Sequence, residues 1–184
     1  MKPDKYLLWK QSLVEFGRLN NAVPQIVKRP SVGSDIDYYY LSMEIPFGTN
    51  KIEFSQGATI FAHYVGFSKV LLSYSYINNC LLTLSLSRSD FFDIFFQGSL
   101  IKTGSKDFDK IFSIRSTDKS AALLIFGDRE IQELFLGNKL LIFNISTNKS
   151  RVTTVTLKAM EEKFYSTSEL THLLEHFKTI LHKL

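Results

Sequence analysis

The most chemically suggestive residues of this 184-residue chain are His172-Leu-Leu-Glu175-His176, near its C-terminal end. Histidines four apart fall on one face of a helix. Such a face can offer two imidazoles to a zinc ion while the intervening carboxylate activates a water, which would be metal-assisted hydrolysis. A catalytic zinc takes three protein ligands, and only eight residues follow His176 in which to find the third. Both histidines also lie opposite a leucine stripe on the same helix, so the pattern predicts two solvent-facing imidazoles. Glu169 shares their face and leaves open a surface site completed by a neighbouring chain. His63 and His182 have no partner at ligand spacing.

Nucleophilic chemistry has less to offer. There is no G-x-S-x-G, and Cys80, the single cysteine, heads the apolar run CLLTLSL, where a thiol packs as a small hydrophobe. Thr103-Gly-Ser-Lys106 lacks the spacing of a phosphate-binding loop and reads as a turn entering a strand rather than a helix. Asp90, Asp93, Asp107, Asp109 and Asp118 stand near predicted strand ends, where aspartate satisfies local backbone donors. Asp107 and Asp109 bracket Phe108 in a turn of that kind. No catalytic residue and no cofactor follow from these patterns, and a non-enzymatic protein is the expectation.

The best interaction candidate is an aromatic stripe near the start: Tyr6, Trp9, Leu13 and Phe16 recur every three or four residues. With Lys5 and Lys10 beside it, the stripe could dock on a partner or lie on a membrane surface. Packing against a sheet is the favoured reading, since an amphipathic helix ordinarily buries its apolar side.

Twenty-two Lys and Arg against eighteen Asp and Glu give a net charge of +4. Basic residues concentrate only at Lys2, Lys5 and Lys10 and at Lys28-Arg29, so no nucleic-acid partner is expected. The chain is 45% apolar and 22% charged, which excludes a disordered polypeptide. It has no secretory leader and no apolar run approaching the roughly 18 residues of a membrane span. A cytoplasmic location follows, and the sequons at Asn144 and Asn148 then carry no meaning.

The elements that would position these residues can be read from periodicity. Pro3 to about Leu19 is a helix ended by Asn20-Asn21 and Pro24, and residues 24–36 read as a loop. Period two then takes over in Tyr39, Leu41, Met43, Ile45 and Phe47, in Lys51–Phe54, in Ala58–Val65 and in Phe91–Gln97. Val70–Tyr76 and Leu82–Ser87, with Asn78-Asn79 between them, read as a hairpin. Together, residues 38–101 suggest an antiparallel meander. Phe112–Arg115 is a strand, Asp118 and Asp128 cap two short helices, and Leu140–Ile145 and Val152–Leu157 are strands. Ser166 and Glu169 form a capping box ahead of a last helix with Leu170, Leu173, Leu174, Phe177, Leu181 and Leu184 on one side. The class is α+β: a mostly antiparallel sheet with an N-terminal helix and a C-terminal strand-helix-strand-strand-helix layer. A single domain, 1–184, is expected, with a subdivision into 1–101 and 102–184 left open around Gly98–Lys106.

The run Thr103-Gly-x-x-x-Phe108-Asp109-x-x-Phe112-x-Ile114, with its capped helices and two following strands, resembles bacterial domains of unknown function. In those, a TGD-x-x-FD-x-x-F entry leads into such a module after a strand-rich half. Ser105 here replaces the common acidic residue, and the similarity covers residues 50–184. Many relatives carry transmembrane helices ahead of the domain. The resemblance assigns no catalytic residue and implies a membrane-proximal or interaction role. The expected function is therefore a binding module for a protein partner, with peripheral membrane association and homo-oligomerisation left open. The alternatives are a hydrolase using His172, Glu175 and His176, and an apolar-ligand or lipid carrier whose Phe-rich strands line a cavity.

Overall fold

Helix α1 (Asp4–Leu19) places Trp9, Leu13 and Phe16 on one side, and all three are completely buried. The structure is a computed structural model describing residues 4–30, 36–61, 64–89, 100–138, 141–163 and 165–184. Helices and antiparallel strands run through these residues in the α+β class expected. The chain divides into two compact units, Met1–Tyr74 with Ala159–Leu174 and Ser75–Lys158 with Glu175–Leu184.

In the first unit, β1 (Gln25–Pro30), β2 (Ile36–Phe47) and β3 (Asn50–Phe61) form antiparallel neighbours. Beyond them β3 pairs with β4 (Tyr64–Phe67) and with the start of β5 (Val70–Ile77). Period two is faithfully expressed: Leu41, Met43, Ile45, Ile52, Phe54, Ala58, Val70 and Leu72 are buried, while their sequence neighbours are not. Against this inner face lies α1, with Phe16 5.2 Å from Phe54 between ring centres. The contact is fixed by a polar group. The Trp9 indole N–H donates to Gln56 Oε1 at 3.0 Å, and Gln56 Nε2 donates to the carbonyls of Ser68 and Lys163, each at 3.2 Å. The first half of α5 (Thr167–Leu181) joins through Thr167, whose hydroxyl donates to the Ser12 carbonyl. The capping box forms as predicted: the Ser166 N–H and hydroxyl both donate to the Glu169 carboxylate, and the Glu169 N–H returns to Ser166 Oγ.

The second unit orders its strands β9 (Val152–Ala159), β8 (Leu141–Thr147), β6 (Thr83–Arg88) and β7 (Phe112–Ser116). Its core is a run of phenylalanines: Phe108, Phe112, Phe126, Phe135 and Phe143 are buried, with successive ring centres 5.0–6.3 Å apart. Aromatic pairs at such spacings favour tilted and edge-on arrangements. Helix α3 (Lys119–Phe126) is capped by Asp118, which accepts from the N–H groups of Ser120 and Ala121. Helix α4 (Arg129–Gly137) is capped by Asp128, which accepts from the Glu130 N–H and also pairs with Lys183 at 2.7 Å. That ammonium, with the Glu130 N–H, holds the Asp128 carboxyl below its usual range.

Several expectations need correction. Residues 24–36 are not all loop: Gln25–Pro30 is a strand, with Pro30 at its end, where a missing N–H costs the ladder least. The predicted hairpin does not form, because β5 pairs with β3 whereas β6 pairs with β7 and β8. The Asn78 N–H instead donates to the Arg151 carbonyl. Cys80 is exposed, on the connection before β6 rather than in a strand, and its N–H donates to Asn78 Oδ1. Residues 106–111 form a short helix, α2 (Lys106–Ile111), where a turn into a strand was expected. Leu184 is exposed and leaves the stripe of α5, which Ile180 joins. His63, Asp90, Asp93 and Phe91–Gln97 lie outside the described residues.

Replacing Gln56 by alanine strands a buried indole N–H and two carbonyls at once. The expected loss is about 3 kcal/mol, measured by urea denaturation; a loss below about 1 kcal/mol would mean the network contributes little. Glu169 gives a pH test. Burial pulls its carboxyl upward, but the Ser166 donors and Lys163 outweigh this and hold it below 4.5. A depressed carboxyl stabilises the fold above its unfolded value and loses that contribution as pH falls through the folded one. Glu169→Gln should therefore cost about 0.5–1 kcal/mol at neutral pH, discounted for exposure. The gap to the parent protein should close below pH 4.5, and a gap unchanged into acid would count against the cap.

Candidate functional site

Of the residues singled out for interaction, Trp9, Leu13 and Phe16 are inside the first unit and Tyr6 is half-buried. The Tyr6 ring lies 4.6 Å from that of Tyr39 and 5.7 Å from that of Trp9. Burial first, and then Tyr39, push its phenol above the usual value, with Lys28 opposing. The stripe is thus the packing face of α1, as the favoured reading had it.

The histidine motif lies on α5. His172 and Glu175 are exposed and His176 is half-buried, while Glu175 bonds the Lys178 ammonium at 2.8 Å. Among the described residues, no three His, Cys, Asp or Glu side chains gather where they could hold a metal ion. No helix among them is long and apolar enough to cross a membrane.

A different surface stands out. Ten of the fourteen exposed large hydrophobic side chains among the described residues belong to the first unit, and the sheet register gathers five of them. Opposite the face that α1 covers, the outward residues align in cross-strand rows. Ile36, Phe61 and Tyr64 form one row, and Arg29, Tyr38, Thr59 and Gly66 the next. Val27, Tyr40 and Gly57 follow, then Gln25, Ser42, Ser55 and Leu71, and finally Glu44, Glu53 and Ser73. Residues facing one another on neighbouring strands are about 5 Å apart, and same-face residues along a strand about 7 Å, so each row adjoins the next. Val27 is 48% exposed, Tyr38 and Tyr40 45%, Phe61 50% and Tyr64 68%. Tyr64 rests on Gly66, where an added Cβ would come within 3.1 Å of its ring.

The face therefore grades from aromatic to polar to acidic. Its polar part is a groove of about 520 Å³ whose lining includes Val23, Gln25, Tyr40, Ser42, Ser55 and Ser73. Glu44, also at the groove, is paired with Lys51, and Glu53 stands directly across the ladder from it. Like charges so placed repel, and one lysine offsets part of that. On the opposite, inward face, Lys28 pairs with Asp37 at 2.8 Å and lies 5.9 Å above the Tyr39 ring. Hydroxyls, an amide, carboxylates and exposed rings on a rigid sheet make binding chemistry.

Sequence reasoning passed over this surface although a signal was present. In Tyr38-Tyr39-Tyr40, period two turns the middle ring inward and both flanking rings outward, where a solvated strand would carry polar residues. No family model matches the chain, and no curated protein or solved structure does.

If the outward tyrosines serve recognition, they should be dispensable for folding. Tyr38→Ser with Tyr40→Ser is expected to change unfolding free energy by less than about 1 kcal/mol, against a loss of about 4 kcal/mol for Trp9→Ala. A double variant as damaged as the Trp9 variant would assign the tyrosines to stability.

Proposed function

We propose that this protein is a non-enzymatic interaction domain that engages a protein partner through the outer face of β1–β4. The observation that carries this reading is the continuous strip of Val27, Tyr38, Tyr40, Phe61 and Tyr64, exposed on a sheet whose opposite face is buried. Contiguous exposed apolar surface marks contact sites more often than scattered side chains do. Tyrosine supplies large contact area at small conformational-entropy cost. The strip is flanked by Arg29 and, along the same face, by the groove with Glu44 and Glu53. This gives a partner a mixed polar rim around an aromatic centre, as protein interfaces have. Five of the phenylalanines that a lipid carrier would need around a cavity are instead packed against one another in the core of the second unit.

The test is site-specific photo-crosslinking in the source cells. A benzophenone side chain at position 40 should yield a discrete protein adduct. The same group at position 124, an exposed leucine of the second unit, should not. Matching adduct patterns at the two positions, or none at position 40, would overturn the reading.

A further inference from the structure

The second unit contains a polar groove that the interaction surface does not use. It measures about 510 Å³ and lies between the loop entering α2 and the helix α4, with Ser105 and Asp107 on one wall and Arg129 and Gln132 on the other. The loop is firmly built. Asp109 Oδ1 accepts from the Thr103 N–H at 2.9 Å and its hydroxyl at 3.0 Å, and Oδ2 accepts from the Gly104 N–H at 3.1 Å. Gly104 takes φ +91°, a conformation that a side chain would strain. This rigid turn is the Thr103–Lys106 motif that sequence reading set aside.

The informative residue is Gln132. It is only 7% exposed, and its Nε2 donates to the Phe126 carbonyl at 2.6 Å, closing the C-terminal end of α3. That bond fixes the carboxamide and uses one of its two N–H groups. Among the described residues no partner takes up its Oε1, and none of their buried side-chain N or O atoms lacks a partner. The oxygen is therefore reached from the groove that Gln132 lines. A primary amide held in this way keeps its oxygen as an acceptor and one N–H as a donor, the two kinds of group that pair with the edge of a planar heterocycle. One turn earlier, the Arg129 side chain is 90% exposed and uses only its Nε, toward Glu133 at 2.8 Å. A guanidinium plane so placed can stack on a flat ring. Across the groove, Ser105 Oγ and the Asp107 carboxylate make no hydrogen bond among the described residues, and both can receive exocyclic N–H or hydroxyl groups.

We propose that this groove binds a nucleobase-type ligand: a planar heterocycle with adjacent donor and acceptor, read by Gln132, covered by Arg129 and met by Asp107. A free base or nucleoside fits the volume and the polarity. A phosphorylated ligand is disfavoured by Asp107 and Glu133 at the rim.

The experiment is an NMR titration of the ¹⁵N-labelled full chain with adenosine and, separately, with glucose up to about 10 mM, enough to detect weak binding. Adenosine should shift the amides of Gly104, Gly127, Arg129 and Gln132 saturably, and glucose should not. Gln132→Met keeps the bulk and removes the edge, and should weaken binding about tenfold. Because that variant also loses the bond to Phe126, Arg129→Ala is measured beside it. Arg129 is fully outside the core, so its removal leaves the fold intact, and binding should weaken about fivefold through lost stacking. Absence of shifts at these four amides, equal shifts with glucose, or unchanged affinity in Arg129→Ala would each overturn the proposal.

Discussion

The first unit depends on one buried amide. Gln56 sits on the inner face of β3, where its neighbours in the alternation, Phe54 and Ala58, are apolar, and it is 1% exposed. A polar group in such a place is tolerable only when fully bonded, and it is: its oxygen accepts the Trp9 indole and its two N–H groups reach two separate carbonyls. Those partners come from α1, from the start of the β4–β5 connection and from the segment leading into α5. A purely apolar contact would let the helix slide along the sheet at small cost, because dispersion and burial are indifferent to register. The three hydrogen bonds are not indifferent. They set where the helix crosses β3, and with it which ring positions of α1 meet Phe54 and Tyr39.

That constraint explains why the outer face is left with its aromatic residues. A sheet with a helix locked on one side has one core face, and period two sends every other residue to the opposite face whatever its chemistry. Trp9, Leu13 and Phe16 are consumed by packing. Tyr38, Tyr40, Phe61 and Val27 remain half-exposed on a surface that folding does not require to be apolar. The exposed aromatic strip is thus a by-product of a well-determined core, carried on the ladder whose other face that core occupies.

Much of this architecture was legible in the sequence, and the failures share a cause. Local signals read correctly: the α1 stripe, the aspartate caps at Asp118 and Asp128, and the Ser166–Glu169 box all depend on residues within one or two turns. What failed was partner choice. Val70–Ile77 and Thr83–Arg88 each alternate cleanly, and nothing in a period of two says which strand lies alongside. Asn78-Asn79 between them was read as a turn, but Asn78 and Leu82 bond to the β8–β9 region instead. The short helix α2 was missed for a related reason. Its Asp109 looked like a turn residue, and it does bond a turn, but from inside the helix and backward onto Thr103 and Gly104. The Tyr38–Tyr40 surface was visible as an anomaly in the alternation, and the Gln132 groove was not, since it depends on residues brought together from two helices and a loop.

The two buried glutamines show how the units differ in what their polar groups are free to do. Gln56 has both N–H groups and its oxygen engaged within the chain, so it can serve only the fold. Gln132 is nearly as buried but makes a single side-chain hydrogen bond, to the last carbonyl of α3. At this buried position a lysine would bring in a charge and a serine would stop short of that carbonyl, whereas the carboxamide reaches it neutrally and keeps its oxygen for the groove. A carboxamide that does one structural task and is held in place by it has its remaining edge preorganised at no further entropic cost. On this contrast the same side chain is a strut in one unit and, in the proposed reading, a ligand-facing group in the other, and the difference lies in how many of its bonds the chain itself supplies.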